Sequence, residues 1–395
     1  MLKASRLALL LTAAAASPCA GGVNIVDTPA IVDAKVDAAM ADTGAKGMAV
    51  AIIDHGRVRY VQAYGVRNKA GDPLRTDTVM YGASLTKTVF AYHVLQLVDQ
   101  GRLALDTPLA GYLPKPLTEY DTNAIYPDKY GPYRDLSADP RWRLITARHV
   151  LTHSTGFANF WFIEPDQKLR IHFDPGSRFS YSGEGMSLLQ FVIEQGRKAA
   201  GLGLDMGQLT QATFDRLGMT RTSLQWRADF RPNLADGFND KGEAVAHDER
   251  SKVRVAGSMD TTIADLSKFV AALVRHDGLS TASYREMLAP SLHITTAHQF
   301  PNFGPELPPA SQRRDLHAGL GIITFRGPQG PGFFKGGHDG QTANTLVCIE
   351  RSQRCLLILS NDVRAEASFS KLVHDILGDT GVPYDWEYGD RAGRS

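Results

Sequence analysis

The stretch from Tyr81 to Gly101, Tyr-Gly-Ala-Ser-Leu-Thr-Lys-Thr-Val-Phe-Ala-Tyr-His-Val-Leu-Gln-Leu-Val-Asp-Gln-Gly, constrains the chain more than any other. Val89, Phe90, Val94, Leu97 and Val98 recur at helical spacing, and Gly101 supplies the left-handed residue that a helix end favours, so a buried central helix is predicted here. Ser84 falls in its first turn. Residues three apart share a helix face, which places Lys87 over Ser84 with its amine in reach of the hydroxyl. A serine hydroxyl is a poor nucleophile at neutral pH, and it needs a nearby base together with donors for a developing oxyanion. A helix N-terminus adds partial positive charge. Spacing by itself decides nothing, because Ser368-Phe-Ser-Lys371 repeats the same pattern near the C-terminus. The small residues Gly82 and Ala83, the buried helix and the partners found downstream favour Ser84.

The chain has 395 residues, 43% of them hydrophobic and 22% charged, with a formal net charge of +1. That is enough apolar material for one large composite domain. The near-neutral balance and the absence of a basic run argue against a nucleic-acid or anionic-membrane partner. Residues 1 to about 20 carry Lys3 and Arg6, an apolar run from Leu7 to Ala16 and then small residues, the layout of a secretory signal peptide with expected cleavage after Ala16. The run is too short for a stable membrane anchor, so a periplasmic or secreted protein without an integral membrane segment is expected. Cys19 raises a lipoprotein alternative, weakened by Pro18 before it and by Ala16 three residues earlier. Cys348 and Cys355 flank a turn centred between Arg351 and Ser352; a hairpin there sets them opposite each other, as a disulfide or as two buried thiols.

Taken in order, Asp27-Thr-Pro-Ala opens a helix striped by Val32, Val36, Ala39 and Met40. Two strands follow, Gly47 to Ile53 and Val58 to Tyr64, joined at Asp54-His-Gly56. At the other end, Gly319 to Phe325, Gly332 to Lys335 and the cysteine hairpin read as strands, and Ala365 to Leu377 as a closing helix. The expectation is an α+β fold. Its antiparallel sheet is built from both chain ends (about 21–85 and 311–395) and flanked by helices, with a mainly helical region (about 86–310) inserted between them. A loop carrying Tyr120, Tyr126, Tyr130 and Tyr133 reads as a binding rim or a plain surface loop. Phe157, Phe160, Trp161 and Phe162 read as a substrate wall or as core.

Two further motifs supply partners for Ser84. Pro175-Gly-Ser-Arg-Phe-Ser-Tyr-Ser-Gly183 puts Tyr181 before a helix, where a neighbouring lysine ammonium would favour its phenolate and let it act as a base. Alternatively it is a core tyrosine. Lys335-Gly-Gly-His338-Asp339-Gly340-Gln341 reads as a strand whose glycines admit a ligand, with the Gln341 N–H as one oxyanion donor and that of Ser84 as the other. A glycine-rich edge without a ligand is the other reading.

As a set, Ser84-Leu-Thr-Lys87, Ile145-Thr-Ala-Arg-His-Val-Leu-Thr-His-Ser-Thr-Gly156, Tyr181-Ser-Gly183 and His338-Asp-Gly340 resemble the penicillin-recognising serine hydrolases, in the branch of class C β-lactamases, serine DD-peptidases, D-aminopeptidases and lactamase-like carboxylesterases. The resemblance covers nearly the whole chain after the leader. It implies that Ser84 forms an acyl-enzyme, that Lys87 and Tyr181 share its proton, and that His338, Asp339, Gly340, Gln341 and Gly183 contact a small-molecule or short-peptide substrate, with no metal or organic cofactor. Gly183 stands where the family has asparagine. His338-Asp-Gly stands where it has Lys-Thr-Gly, which removes a cation and adds an anion. Both departures disfavour β-lactams and D-Ala-D-Ala peptides and favour an uncharged ester or amide, or a substrate bearing an amine. Two rivals stand beside this. His149-Val-Leu-Thr-His153 has zinc-like spacing but Val150 where a glutamate belongs, and a non-catalytic binding or sensor protein of the same fold is the alternative from another class. Spacing is silent on the oligomeric state.

Overall fold

The computed structural model describes residues 28–389; the expected leader, its cleavage site and Cys19 lie outside the described residues. After helix α1 (Pro29–Thr43), β1 (Gly47–Asp54) and β2 (Arg57–Gly65) form a hairpin. His55 (φ 49°) and Gly56 (φ 69°) both adopt the left-handed conformation that a tight hairpin turn requires. The C-terminal part supplies β3 (Leu292–His293), β4 (His317–Ala318), β5 (Ile323–Gly327), β6 (Gly330–His338), β7 (Ala343–Ile349) and β8 (Arg354–Ser360). Together they make one eight-stranded antiparallel sheet in the order β2-β1-β8-β7-β6-β5-β4-β3. Both chain ends build the sheet.

β1 is apolar at nearly every position because both of its faces are covered. Side chains alternate across a strand, so Ala49, Ala51 and Ile53 enter one core and Met48, Val50 and Ile52 the other. The first core is roofed by α2 (Leu85–Asp99), α3 (Gly183–Gln195) and α4 (Ile263–Val274). The second is roofed by α1, α5 (Phe369–Leu377) and the short C-terminal helix α6 (Tyr384–Tyr388). The central helix is as buried as its composition requires: of α2, only Gln96, Val98 and Asp99 are not buried. Gly101 (φ 68°) closes it.

Several expectations change. The run from Gly319 to Phe325 is not one strand. It breaks at Gly319–Ile322, where Gly321 O turns inward to accept the Thr88 hydroxyl of α2 (3.0 Å). The closing helix begins only at Phe369, after a tight helical turn at Val363–Ser368. The tyrosines of the loop are tied to the core, Tyr120, Tyr126, Tyr130 and Tyr133 all meeting the ring of Phe191 edge-on, while Asp128, Lys129, Tyr130 and Gly131 also line the cavity beside Ser84, as the binding-rim reading expects. Edge-on stacking satisfies aromatic quadrupoles and fixes a loop with little regular structure. Among the described residues no helix is long and apolar enough to cross a membrane.

The hairpin of β7 and β8 pairs Cys348 with Cys355, and the two form a disulfide. The bridge closes a short loop, with a sequence separation of 7. Loop-closure entropy for a loop this short gives on the order of 2 kcal/mol. We expect Cys348→Ala/Cys355→Ala to lower the urea midpoint by that much stability while leaving the labelling of Ser84 intact.

Candidate active site

The chain enters the site from a two-residue ribbon, Met80–Tyr81 paired with Asp260–Thr261. Ala83 then takes a left-handed conformation (φ 46°) and Ser84 caps α2. One turn on, Lys87 donates from Nζ to Ser84 Oγ (3.1 Å) and to the carbonyl of Ala256. Tyr181, directly before α3, donates its O–H to the same Ser84 Oγ (2.7 Å). The Lys87 ammonium also lies 4.9 Å from the centre of the Tyr181 ring. Lys87 is fully buried, and burial lowers its amine; the charge of Lys335 lowers it further, and Tyr181 opposes both. A buried amine with a depressed pKa is a better proton acceptor near neutrality. The three predicted residues converge on one oxygen.

The third motif sits three residues earlier than expected. Lys335 is 3% exposed, and its Nζ reaches the Tyr181 oxygen at 3.4 Å. A Cβ built on Gly337 would lie 3.0 Å from both Ser84 N and Leu85 N, so β6 passes directly over the first turn of α2. Lys335-Gly336-Gly337 therefore takes the place expected for His338-Asp339-Gly340. The predicted oxyanion donor is also corrected. Gln341 N–H donates to Asp339 Oδ1 (2.8 Å), as does Thr342 N–H (2.9 Å), because an aspartate at the head of a turn captures the backbone N–H groups that follow it. Asp339 to Gln341 are a turn, not a strand. The Asp339 N–H donates across the hairpin to Thr342 O (3.1 Å). Alternation along the strand then directs the His338 N–H to the opposite edge, where β5 has ceased pairing at Phe334 and Ser84 lies. The cation missing from His338-Asp339-Gly340 is supplied by Lys335, buried beside Tyr181 and not on the cavity lining, while Asp339 keeps its anion on the cavity.

Ser84, Lys87 and Tyr181 open into a cavity of about 440 Å³. Phe160, Trp161 and Phe162 form one wall, whereas Phe157 is fully buried core. His338 and Asp339 line the mouth; Gly340 and Gln341 do not. The absent asparagine has a steric explanation: a Cβ at Gly183 would lie 2.7 Å from the Phe160 ring. The Gly183 N–H instead donates to Asn159 Oδ1 (2.9 Å), which brings a carboxamide to the cavity from the facing loop. We expect Gly183→Asn to displace Phe160 and to raise KM for a short-chain aryl ester by about tenfold with little change in melting temperature, read by steady-state kinetics and a thermal melt.

Other residues bear on the site in ways that their sequence patterns did not announce. His153 stacks on Tyr181 (4.4 Å between ring centres), and its Nδ1 accepts from Ser182 N–H (3.1 Å). Burial, with the charges of Lys87 and Lys335, holds it well below the ordinary histidine range. His149 instead closes a capping box with Thr146, so the two histidines serve different backbone amides and do not share a site. Among the described residues no group of three His, Cys, Asp or Glu side chains is placed to hold a metal ion. Glu184, also on the cavity, is fully buried, which pushes its carboxyl up to about 7. The second Ser-x-x-Lys is unrelated to this cavity: Ser368 donates to Ala365 O and the exposed Lys371 pairs with Asp375.

The profile of the β-lactamase family matches residues 32–377. Esterase EstB of Burkholderia gladioli is 33% identical over 213 residues, 47% of this chain and 50% of that protein. A lovastatin esterase of Penicillium rubens is 30% identical over 224 residues, 49% of this chain and 53% of that protein. The chain thus spans about half the length of these curated relatives. In fold it is similar to the D-alanine carboxypeptidase AmpC of Burkholderia cenocepacia (TM-score 0.65, 20% identity, 88% of this chain and 98% of that one). It is equally similar to a class C β-lactamase solved with cefoxitin (TM-score 0.66, 18% identity, 88% and 97%). A sheet from both chain ends, a helical insert and a match over most of its length place the chain in the β-lactamase family, among class C β-lactamase, D-alanine carboxypeptidase and esterase relatives.

Proposed function

We propose that this chain is an exported serine hydrolase that acts through an acyl-enzyme on Ser84, with small carboxylic esters as its preferred substrates. The observation that carries this is the double donation to Ser84 Oγ, from Lys87 Nζ (3.1 Å) and from the Tyr181 hydroxyl (2.7 Å), at the floor of an aromatic-walled cavity. The substrate carbonyl seats its oxygen between the N–H groups of Ser84 and His338. Ser84 Oγ attacks the carbonyl carbon as its proton passes to the Lys87–Tyr181 pair, which titrates as a unit. Negative charge moves onto the carbonyl oxygen and is met by the two N–H dipoles. The pair returns the proton to the departing alkoxide, and the C–O bond breaks. Water then attacks the acyl carbon and gives its proton to the same pair, which passes it to Ser84 Oγ as the acyl C–Oγ bond breaks and the acid leaves. Lys335 neutralises charge that gathers on the Tyr181 oxygen during these transfers.

Ester preference draws support from the two esterase relatives, from the aromatic wall and from Gly183 in place of an amide-binding asparagine. A second reading, an amide substrate carrying a carboxylate, as in a DD-peptidase or weak β-lactamase, is favoured by Lys335 alone. Comparing kcat/KM for p-nitrophenyl butyrate, a chromogenic cephalosporin and D-alanyl-D-alanine decides between them. We expect the ester to lead by at least about a hundredfold; a lead for the lactam or dipeptide overturns the preference. No turnover and no acylation by any probe would favour a non-catalytic binding protein. Export is supported by the leader-like residues 1–20 and by the Cys348–Cys355 disulfide, a bond of oxidising compartments. Export predicts a periplasmic or secreted protein whose intact mass lacks residues 1–16; a full-length mass in the cytoplasm would overturn it.

A further inference from the structure

Lys335 has a counter-charge that the mechanism above does not use. Glu387, on α6 in the last described part of the chain, is 6% exposed and sits where a side chain on Gly336 would project, on the face of β6 that the second core covers. A Cβ on Gly336 would overlap Glu387 Oε1 at 1.7 Å, so only glycine admits the carboxyl this close. On the same residue, Lys335 Nζ donates to Gly336 O (2.7 Å), while the Gly336 N–H is directed at the Glu387 carboxyl. Gly336 stands between an ammonium and a carboxylate, both sealed from solvent.

α6 is anchored firmly enough to fix that carboxyl. Tyr384 bonds Thr345 Oγ1 of β7 (2.9 Å), Trp386 Nε1 donates to Thr296 Oγ1 (3.2 Å), and Trp386 O accepts from Gln299 N–H (2.9 Å). The other titratable groups facing Lys335 are Tyr181 before α3, Lys87 of α2 and His153. Of these, Lys87 repels its charge and His153 is held neutral. Those facing Glu387 are Tyr384 and Tyr388 of its own helix. Glu387 is thus the carboxylate that opposes the burial of Lys335.

We propose that Glu387 is a positioning residue, by which the C-terminal helix keeps Lys335 charged and seated beside Tyr181. This rests on the reading of Ser84, Lys87 and Tyr181 as the reacting set. Burial lowers Lys335 to about 8, with Glu387 opposing. Burial raises Glu387 to about 7, with Lys335 and the Gly336 N–H opposing. As a carboxylate Glu387 supports the Lys335 ammonium; as the pH falls and its raised carboxyl takes up a proton, that support is lost. The contribution of Glu387 therefore appears only on the alkaline side.

The test is the pH profile of the rate at which a fluorophosphonate labels Ser84, alongside ester kcat/KM, for the full chain and for Glu387→Gln. We expect the alkaline limb of Glu387→Gln to move down by about one unit, giving about a tenfold loss at pH 8.5 and a change within about threefold at pH 6.5. Asp385→Asn, which removes an exposed carboxylate of the same helix that faces Arg313 and not Gly336, should leave the limb in place. Should Glu387→Gln not fold, Glu387→Asp, which keeps the charge but withdraws it, should move the limb by a smaller amount in the same direction. An unchanged limb, or a loss equal at all pH values, overturns the proposal while leaving the Ser84 mechanism standing. A wild-type protein that takes no label at Ser84 overturns both.

Discussion

Ser84→Ala is expected to lose ester turnover by a factor on the order of 10⁶ in kcat, the scale on which removing a nucleophile acts when the remaining groups cannot replace it. Ser84 Oγ is the single atom to which both Lys87 and Tyr181 donate, so its removal leaves two proton carriers with nothing to activate. The change should barely touch the fold, because an alanine at the mouth of α2 removes one hydroxyl and no packing. Intact-mass spectrometry after brief exposure to a fluorophosphonate, a short-chain p-nitrophenyl ester and a penicillin reads the result. One adduct on the wild type and none on Ser84→Ala is the expected outcome. Equal labelling of both proteins would mean that another residue reacts, and the mechanism would fall.

Lys335→Met is expected to cost about 10²–10³ in kcat/KM, whereas His338→Ala should cost less than about tenfold. The contrast follows from position. Lys335 reaches the Tyr181 oxygen from a fully buried site, whereas the His338 side chain lies at the cavity mouth beside Glu366 (3.5 Å). In the proposed mechanism His338 contributes only its backbone N–H, which alanine retains. Methionine matches the length of the lysine stem, so packing survives while the charge is lost. Thermal melts check that both variants fold, and steady-state kinetics with one ester rank them. A larger loss for His338→Ala would restore the motif to its later register.

That register error shows where the chain stops being legible. Lys335-Gly-Gly and His338-Asp-Gly are two adjacent candidates three residues apart, and both end on a glycine as Lys-Thr-Gly does. A lysine directly after the apolar pair Phe333-Phe334 was itself a signal, since a buried charge needs a partner. The partner, Glu387, lies far along the chain, and no local pattern connects the two. The same holds for Gly183, whose missing asparagine makes sense only once Phe160 is seen filling its place.

By itself the sequence determined the elements whose cause is local. The apolar runs of α2 and of β1, the turn at His55-Gly56, the pairing of Cys348 with Cys355 and the Ser84–Lys87 contact all follow from residues within one turn or one hairpin of each other. Only the tertiary structure decided which lysine faces Tyr181, which backbone amide faces Ser84, and that a carboxylate from the last helix reaches the site. Those contacts join segments separated by up to hundreds of residues. They are set by how two cores pack on opposite faces of one sheet, a global balance of burial that no short window of sequence contains.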